Sequence, residues 1–318
     1  MPIEQQIYQK IIAAQKILII THYNPDGDAL SSLSVFSCIL KSLNKNYQAY
    51  CRTPLDPSYH YLPHLAQAIS EMDDQLFVSF DLIISLDCGS LDRTGLAPFI
   101  LARKSGQFFI EIDHHPKVES LSDLEYRFNA SATTELIYNF CQSNHLKISQ
   151  EMARGILLGL ASDTGGFIYP ATSSSTITIA AQMLWRGARL PAIIKQVFHG
   201  QSLAGLKLWG LALSRLKINE EYGFAYTVLT YEDFAKYQVT EAITDELAGW
   251  LVCLGNVKAL LLLKEARPGL IKGSWRTASD SINVGALARI MGGGGHSKAA
   301  GFACAGELIN EKGNWQLK

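Results

Sequence analysis

A chain of 318 residues with 48% hydrophobic side chains is long enough to form two domains, each with a buried core. The formal net charge of -1 gives no support to tight binding of long duplex nucleic acid through a broad basic surface, whereas a local basic pocket for a short anion remains compatible with it. The six cysteines form no CxxC pair and no apolar run approaches ~18 residues, which argues against a zinc ribbon or a membrane span and predicts a soluble cytoplasmic protein with reduced thiols.

The first part of the chain alternates short apolar runs with stretches of helical spacing. Ile3, Ile7 and Ile11 predict an amphipathic helix, and the run 17–20 after them predicts a buried strand. Segment 52–70, which contains three prolines, is predicted to be loop with a short helix. The remaining predicted elements are strands at 47–51, 82–86 and 108–110 and helices at 132–144, 150–161 and 175–186. This alternation predicts a mostly parallel sheet covered by helices on both faces.

The pattern restarts in the last third of the chain. We predict a first domain at 1–186, a helical connector at 187–215 and a smaller α/β domain at 216–318. The predicted elements of the second domain are strands at 224–229, 257–263 and 270–276 and helices at 231–237, 241–254 and 284–291.

The stretch 21–32, THYNPDGDALSS, lies between the first strand and a helical pattern. It places His22, Asp26 and Asp28 within seven residues, and Pro25 and Gly27 can turn the two carboxylates toward one point. Open α/β sheets bind ligands at this end of their strands. A structural interpretation stays open, because Asp28 could be only a helix N-cap and Asn-Pro-Asp-Gly is a good turn sequence.

Further acidic and histidine side chains follow later elements. Asp87 follows the strand 82–86, the triplet 113–115 follows the next strand, and Asp163 follows a helix. We expect these ends to converge at one edge of the sheet. Hard oxygen and imidazole donors without cysteine suit Mn²⁺, Mg²⁺ or another hard-to-borderline divalent ion, and a pair of such ions ~3.5–4 Å apart can clamp a phosphoryl group. The predicted set is His22, Asp26, Asp28, Asp87, Asp113, His114, His115 and Asp163.

A glycine run ends the helix predicted at 284–291. The run 292–295 could be a simple helix stop, or its backbone N–H groups could form an anion nest. With a metal site in the same chain, a substrate clamp becomes the better interpretation, because Arg276 can grip a phosphate with two hydrogen bonds. Trp275 could stack on a base or fill the core. The predicted clamp is Arg276, Gly293, Gly294, Gly295, His296 and Lys298.

Six motifs in this order resemble the DHH-family phosphoesterases that carry the DHH-associated C-terminal domain. THYNPDGDALSS, SLDCGS, IDHHP and ASDTGGF match the four motifs of the catalytic domain, and SWRT and GGGGHSKAAGF match the C-terminal domain. The resemblance implies one metal ion held by His22, Asp26 and Asp87, and a second held by Asp28, Asp87, His114 and Asp163. It further implies that Asp87 bridges the ions, Asp113 orients the loop or a histidine, and His115 faces the substrate as hydrogen-bond donor or proton source.

The resemblance also implies the activity. The chain is similar to the bifunctional branch of the family that trims short oligoribonucleotides to mononucleotides and removes the 3′-phosphate of adenosine 3′,5′-bisphosphate (PAP). The expected cofactors are two divalent ions, Mn²⁺ first, with Mg²⁺ or Co²⁺ as alternatives. The expected partners are short single-stranded RNA or DNA and nucleotide bisphosphates, with no membrane and no long duplex, and a homodimer stays open.

Four other activities stay open at this stage. Three belong to the same superfamily: a single-strand exonuclease, a manganese pyrophosphatase and a cyclic- or linear-dinucleotide phosphodiesterase. The fourth is a non-catalytic nucleotide sensor. The GGGGH motif argues against the pyrophosphatase, and the intact set of metal-binding side chains argues against the sensor.

Overall fold

The computed structural model describes residues 1–318 except 56–58, 60, 118–120, 198–201, 242, 253, 255–256 and 312–313. The chain divides into two compact units, residues 1–197 and 198–318. Each unit has a sheet and a core of its own, as the length and composition led us to expect for an α/β chain.

The first unit is built on five parallel strands. They are β1 (Ile17–Ile20), β2 (Tyr47–Tyr50), β3 (Leu82–Leu86), β4 (Phe108–Asp113) and β5 (Leu124–Arg127). Every residue of β1 and β3 is buried, which explains their continuous apolar and β-branched sequences. The order in the sheet is β2-β1-β3-β4-β5. Successive strands are added first on one side of β1, as β2, and then on the other side, as β3. This reversal of strand order is the point at which open α/β sheets form a binding crevice at the carboxyl ends of the strands.

Helices cover both faces of this sheet, which confirms the predicted architecture. One core lies between the sheet and the large helices and includes Ile19 and Ile84, and the other lies on the opposite face and includes Leu18 and Ile83. The alternation of neighbouring residues between two cores follows from the strand period of two. The helices of the unit are α1 (Ile3–Ala13), α2 (Gly27–Ser42), α3 (Asp74–Phe77), α4 (Ala97–Leu101), α5 (Thr133–Ser143), α6 (Gln150–Asp163), α7 (Ser174–Trp185) and α8 (Leu190–Val197).

Three features of the first unit differ from the sequence prediction. Strand β4 continues through Glu111 to Asp113 instead of breaking at the glutamate, since Arg127 of β5 lies 3.8 Å from the Glu111 carboxylate. Asp163 is the last residue of α6 and not a loop residue after it. The short elements α3, α4 and β5 were not predicted, because each is too short to show a hydrophobic period.

The second unit contains a six-stranded mixed sheet in the order β10-β11-β9-β8-β7-β6. Its strands are β6 (Lys217–Asn219), β7 (Phe224–Leu229), β8 (Ala259–Arg267), β9 (Leu270–Arg276), β10 (Gly294–Gly295) and β11 (Ala299–Ala305), and β12 (Leu308–Glu311) and β13 (Asn314–Leu317) form a separate hairpin. Its helices are α9 (Leu203–Ser214), α10 (Tyr231–Tyr237), α11 (Ile243–Leu251) and α12 (Val284–Ile290).

Helix α8 belongs to the first unit and α9 to the second. Residues 198–201 of the predicted connector, and 242 and 253 of the predicted helix 241–254, lie outside the described residues. Among the helices that the structure describes, none combines the length and the apolar character needed to cross a bilayer.

Candidate metal centre

The loop after β1 starts helix α2 with an acidic cap. Asp26 is the N-cap, and its Oδ1 accepts hydrogen bonds from the backbone amides of Asp28 (3.1 Å) and Ala29 (3.0 Å). The capping role that the sequence left open for Asp28 therefore belongs to Asp26. Asp28 lies in the first turn with its carboxylate fully buried. A fully buried carboxylate needs specific partners, so its surroundings indicate what Asp28 does.

Two histidines present the same ring nitrogen to the cluster. The Nδ1 atom of His22 lies 2.8 Å from the carbonyl oxygen of Tyr23, and that of His114 lies 3.2 Å from the carbonyl oxygen of Ala130. A carbonyl partner at Nδ1 fixes the tautomer that leaves Nε2 able to bind a metal. The Nε2 atom of His22 is buried without a hydrogen-bond partner among the described residues, which is what a ligand atom of a metal site requires.

Asp87 follows β3 in a strained conformation. Its φ is +61°, in the left-handed region that residues with a side chain seldom adopt, and its amide donates to the carbonyl oxygen of Ile112 (3.1 Å). Its carboxylate is buried, and Oδ1 lies 3.5 Å from Nε2 of His114 and 3.4 Å from Nδ1 of His115. Such strain persists only where the surrounding structure enforces it, and it aims this carboxylate into the crevice beside β1.

The donor atoms form overlapping triplets. In each triplet one donor atom per residue lies within 4.8 Å of the others, and Asp87 belongs to two of them. One triplet has the composition that the family resemblance implied for the first ion, and another contains three of the four side chains implied for the second. The triplets are His22–Asp26–Asp87, Asp28–His114–Asp163 and Asp87–His114–His115. Carboxylate and imidazole donors at this density fit divalent cations.

The crowded charges shift the proton affinities of the cluster. Burial, together with the nearby charges of Asp26 and Asp87, raises the pKa of Asp163 to about 7. Burial also raises the pKa of Asp28, and the charges of Asp163 and Asp87 raise it further. Burial alone would lower the pKa of His114, but its hydrogen bond with Asp163 and the acidic neighbours raise it to about 11. The cluster therefore carries more negative charge than its own protein environment can stabilise, and it holds protons that cations would replace.

The loop 113–115 is organised by Asp113. Its Oδ1 accepts from the backbone amide of His115 and lies 2.8 Å from Nδ1 of the same residue, and its Oδ2 accepts from the amide of Gly89 (2.6 Å). Burial alone would raise the pKa of Asp113, but its hydrogen bond and charge interaction with His115 hold the pKa well below its usual value. Burial would likewise lower the pKa of His115, but its hydrogen bonds with Asp113 and Asp87 raise it to about 9. The two carboxylates thus favour the protonated form of His115.

Sequence reasoning missed the residues that hold Asp28 and Asp87. The backbone amides of Thr133 and Thr134, at the start of α5, donate to the Asp28 carboxylate at 2.6 and 3.2 Å, and the Thr134 hydroxyl donates at 2.7 Å. The Thr133 hydroxyl donates to Asp87 Oδ1 at 2.9 Å. The start of a helix favours an anion, which explains how a buried carboxylate is stabilised there. In the sequence, the only signal is an ordinary Ser-Ala-Thr-Thr helix start.

Sequence reasoning also missed Arg127 on β5. Its Nη1 donates to the carbonyl oxygen of His115 (2.8 Å) and lies 3.4 Å from Asp113, while its Nε donates to Glu125 (2.7 Å). The guanidinium thereby fixes the loop 113–115 from behind. Because the strand itself was not predicted, the sequence offered no reason to place Arg127 near that loop.

The predicted clamp residues lie at neighbouring positions of the second unit. Ala299 pairs with Arg276 across β11 and β9, and β10 pairs with β11. A Cβ atom at Gly293 would lie 2.1 Å from the carbonyl oxygen of Gly301, so close backbone packing requires this glycine. The amide of Gly293 donates to the carbonyl oxygen of Ala288, which is the bond of a helix stop. Gly294 has open space around it, so packing does not require a glycine at this position.

The other clamp residues have structural contacts of their own. Lys298 Nζ donates to the carbonyl oxygen of Ser279 (2.7 Å) and to Asp280 (2.6 Å), and the amide of His296 donates to the carbonyl oxygen of Ala299 (2.8 Å). Trp275 is 8% exposed and packs edge-on against Phe224, with 5.5 Å between ring centroids. Trp275 is therefore a core residue, and the base-stacking interpretation is wrong for this side chain.

Most of the first unit matches the model of a known protein family. Residues 16–160 match the model described as the DHH family, N-terminal domain. Through these residues the chain is similar to the DHH family, as its motifs led us to expect.

Relatives and solved structures resemble the chain along nearly its whole length. It is 29% identical over 315 residues to the probable bifunctional oligoribonuclease and PAP phosphatase NrnA of Streptococcus mutans, covering 98% of this chain and 97% of that protein. It is 24% identical to the bifunctional oligoribonuclease and PAP phosphatase NrnA of Bacillus subtilis, covering 93% and 91%. The crystal structure of an exopolyphosphatase-related protein from Bacteroides fragilis has a TM-score of 0.85 at 27% identity, covering 94% of this chain and 90% of that one.

Proposed function

We propose that the chain is a metal-dependent phosphoesterase that hydrolyses short oligoribonucleotides to mononucleotides and removes the 3′-phosphate of PAP. The observation that carries the proposal is the position of Asp87, whose buried carboxylate belongs to two donor triplets at the switch point of the parallel sheet. Two relatives that the chain covers almost end to end are named for these two activities. Both substrates offer a phosphoester next to a nucleoside and a further phosphate or nucleotide.

The proposed cofactors are two divalent ions, Mn²⁺ first, with Mg²⁺ and Co²⁺ as alternatives. His22, Asp26 and Asp87 would hold one ion, and Asp28, Asp87, His114 and Asp163 the other. When bound, such ions supply a water nucleophile of lowered pKa and neutralise the charge of the phosphoryl oxygens. The acidic excess of the cluster supports the proposal, because two divalent cations would balance the charge of four ionised aspartates.

The protein's own groups orient the substrate and move the proton. His115 is held by Asp113 through Nδ1, and this carboxylate favours the protonated ring, so His115 is suited to donate a hydrogen bond, or a proton, to the oxygen that leaves phosphorus. Asp113 keeps this ring in place and stabilises its positive charge. The hydroxyl of Thr133 fixes the carboxylate of Asp87. The attacking and leaving groups would therefore react beside side chains of fixed orientation.

The second unit is proposed to bind the part of the substrate that does not react. Arg276 would bind a terminal phosphate with two hydrogen bonds, and Gly293, Gly294, Gly295, His296 and Lys298 would line the same site. The ion pair of Lys298 with Asp280 suggests that this lysine supports the loop as well as adding positive charge.

The decisive test is a turnover assay with a panel of substrates. Wild-type protein with Mn²⁺ should hydrolyse dinucleotides and PAP faster than 24-mer RNA, cyclic dinucleotides or pyrophosphate. Asp87→Ala should abolish turnover and reduce the number of ions bound while the far-ultraviolet spectrum stays unchanged. Preference for long RNA would indicate a single-strand exonuclease, preference for cyclic dinucleotides a phosphodiesterase, and binding of nucleotides without turnover a sensor.

A further inference from the structure

A cationic side chain that the site described above does not use lies beside it. Arg93 sits in a single 3₁₀ turn, Asp92–Thr94, after β3. Its carbonyl oxygen accepts a hydrogen bond from the amide of Tyr23 (2.9 Å), which links this turn to the loop that carries His22 and Asp26. The hydroxyl of Thr94 donates to the carbonyl oxygen of Leu91 (2.7 Å) and closes the turn. The backbone of Arg93 is therefore fixed at the carboxyl edge of the sheet.

The side chain of Arg93 extends over Gly89. A Cβ atom built on Gly89 would lie 3.0 Å from Nη1 of Arg93 and 3.6 Å from Cγ of His115. The guanidinium and the imidazole thus lie on the same glycine, two residues after Asp87. Gly89 has a φ of +70°, and its amide is held by Asp113, so the surface beneath Arg93 is a fixed backbone.

The side chain of Arg93 has no ion-pair partner among the residues that the structure describes. Among the described residues, no carboxylate lies within ion-pair distance of its guanidinium and no hydrogen bond involves its side-chain nitrogens. By contrast, Arg127 on β5 contacts three acidic side chains. Arg93 is a partly buried residue. A guanidinium withdrawn from water normally has an anionic partner, because leaving its donors unsatisfied costs free energy.

The position of Arg93 selects the kind of anion. The guanidinium fork matches two oxygens of a phosphate, and it lies next to His115 and to the cluster proposed to hold two cations. Donors placed where charge develops on a phosphoryl group lower the barrier to its transfer. We propose that Arg93 binds a phosphate oxygen of the substrate beside the metal centre and is a catalytic residue. The identity of the substrate in this inference rests on the proposed function. The position of the Arg93 side chain rests on its distance from Gly89.

Binding of inorganic phosphate to the Mn²⁺-loaded protein tests the inference without turnover. Arg93→Gln should weaken phosphate binding at least tenfold in calorimetry while the number of Mn²⁺ ions bound stays that of the wild type. Arg93→Lys keeps the charge but not the planar fork, and should give an intermediate affinity. The matched control is Arg154→Gln, which removes the same charge. Arg154 is exposed and lies near the start of α6, whereas Asp163 is at the end of that helix.

Turnover provides the second measurement. Arg93→Gln should lower kcat/KM for a dinucleotide by about 10²–10³, and added guanidinium should restore part of it, whereas Arg154→Gln should stay within twofold of the wild type. Phosphate affinity within twofold of the wild type in Arg93→Gln, or loss of Mn²⁺ from that variant, would overturn the assignment. Phosphate binding that depends on Arg93 in a protein that hydrolyses none of the substrates would support the inference and reject the proposed function.

Discussion

Thr133 contacts two of the proposed metal ligands at once. Its amide donates to Asp28 and its hydroxyl to Asp87, and the side chain is fully buried. Thr133 thereby orients Asp28, which is assigned to the second ion, and Asp87, which is assigned to both ions. Hydrogen-bond partners of metal ligands commonly contribute 10–100-fold to metal affinity or activity.

We therefore predict that Thr133→Val, which keeps the shape and the amide but removes the hydroxyl, weakens Mn²⁺ binding about 10–100-fold. Thr133→Ser should restore most of the affinity, because it retains the donor to Asp87. Calorimetric titration with Mn²⁺ measures both variants, and their thermal unfolding in chelator separates stability from affinity. Equal affinity of Thr133→Val and wild type would show that the hydroxyl does not position Asp87.

The sequence predicted the side chains proposed to bind metal. It did not predict the residues that hydrogen-bond to those side chains and orient them. The acidic and histidine residues were found because their types and spacing are unusual, whatever the fold. Thr133 was not found, because it contacts Asp28 across 105 positions of the chain and nothing local marks that contact. The strained φ of Asp87 is likewise a property of its surroundings and has no sequence signal.

Helix α6 approaches the cluster through a glycine. It packs against α2, and a Cβ atom at Gly159 would lie 2.3 Å from Oδ1 of Asp28 and 2.4 Å from the hydroxyl oxygen of Thr134. One turn earlier, a Cβ atom at Gly155 would lie 2.5 Å from Val35. Both glycines let the two helices approach, but only Gly159 makes room for a buried carboxylate and its donor.

This pair of glycines gives a matched prediction. Gly159→Ala should lower both the free energy of unfolding and the affinity for Mn²⁺, because the methyl group displaces Asp28 from Thr134. Gly155→Ala should destabilise the unit to a similar degree, typically 1–3 kcal/mol for overpacking, and leave the affinity close to that of the wild type. Denaturant unfolding and metal titration of both variants check the prediction. Unchanged metal affinity in Gly159→Ala would mean that Asp28 adapts to the lost space.

The predictions of secondary structure were confirmed where the local sequence pattern reflects burial. Strands β1 and β3 are buried at every position, so their composition alone revealed them. Strand β5, with the sequence Leu-Glu-Tyr-Arg, lies at the sheet edge and has one buried residue, so neither alternation nor an apolar run marked it. Strand β10 consists of two glycines and exists only because β11 pairs with it.

The whole molecule divides the proposed work between two units. The first carries the donor cluster, and the second carries Arg276 and His296. Under the proposed function the second unit binds the part of the substrate that does not react, and the nearly balanced net charge gives no evidence of an extended basic track for a long strand. The proposed function therefore favours substrates of two to about five nucleotides, with a steep fall beyond.

We predict that Arg276→Ala and His296→Ala each lose roughly ten- to a hundred-fold in kcat/KM on dinucleotides and PAP, the cost of one charge-assisted hydrogen bond. Both should still hydrolyse a small phosphodiester such as bis(p-nitrophenyl) phosphate at the wild-type rate. Arg267→Ala, an exposed arginine at the opposite end of the β8–β9 pair, is the control. Equal kcat/KM of the wild type for a dinucleotide and a 24-mer RNA would contradict the length preference.

The buried donors of the first unit come from segments far apart in the chain, from the loop after β1 to the last turn of α6. Ions held by all of them would act as cross-links that the unfolded chain lacks, and would relieve the repulsion among carboxylates packed in a crevice. The supply of metal would then set how often the unit opens, and hence how long a molecule survives proteolysis. Metal starvation would then lower the amount of such a protein by degradation as well as its activity.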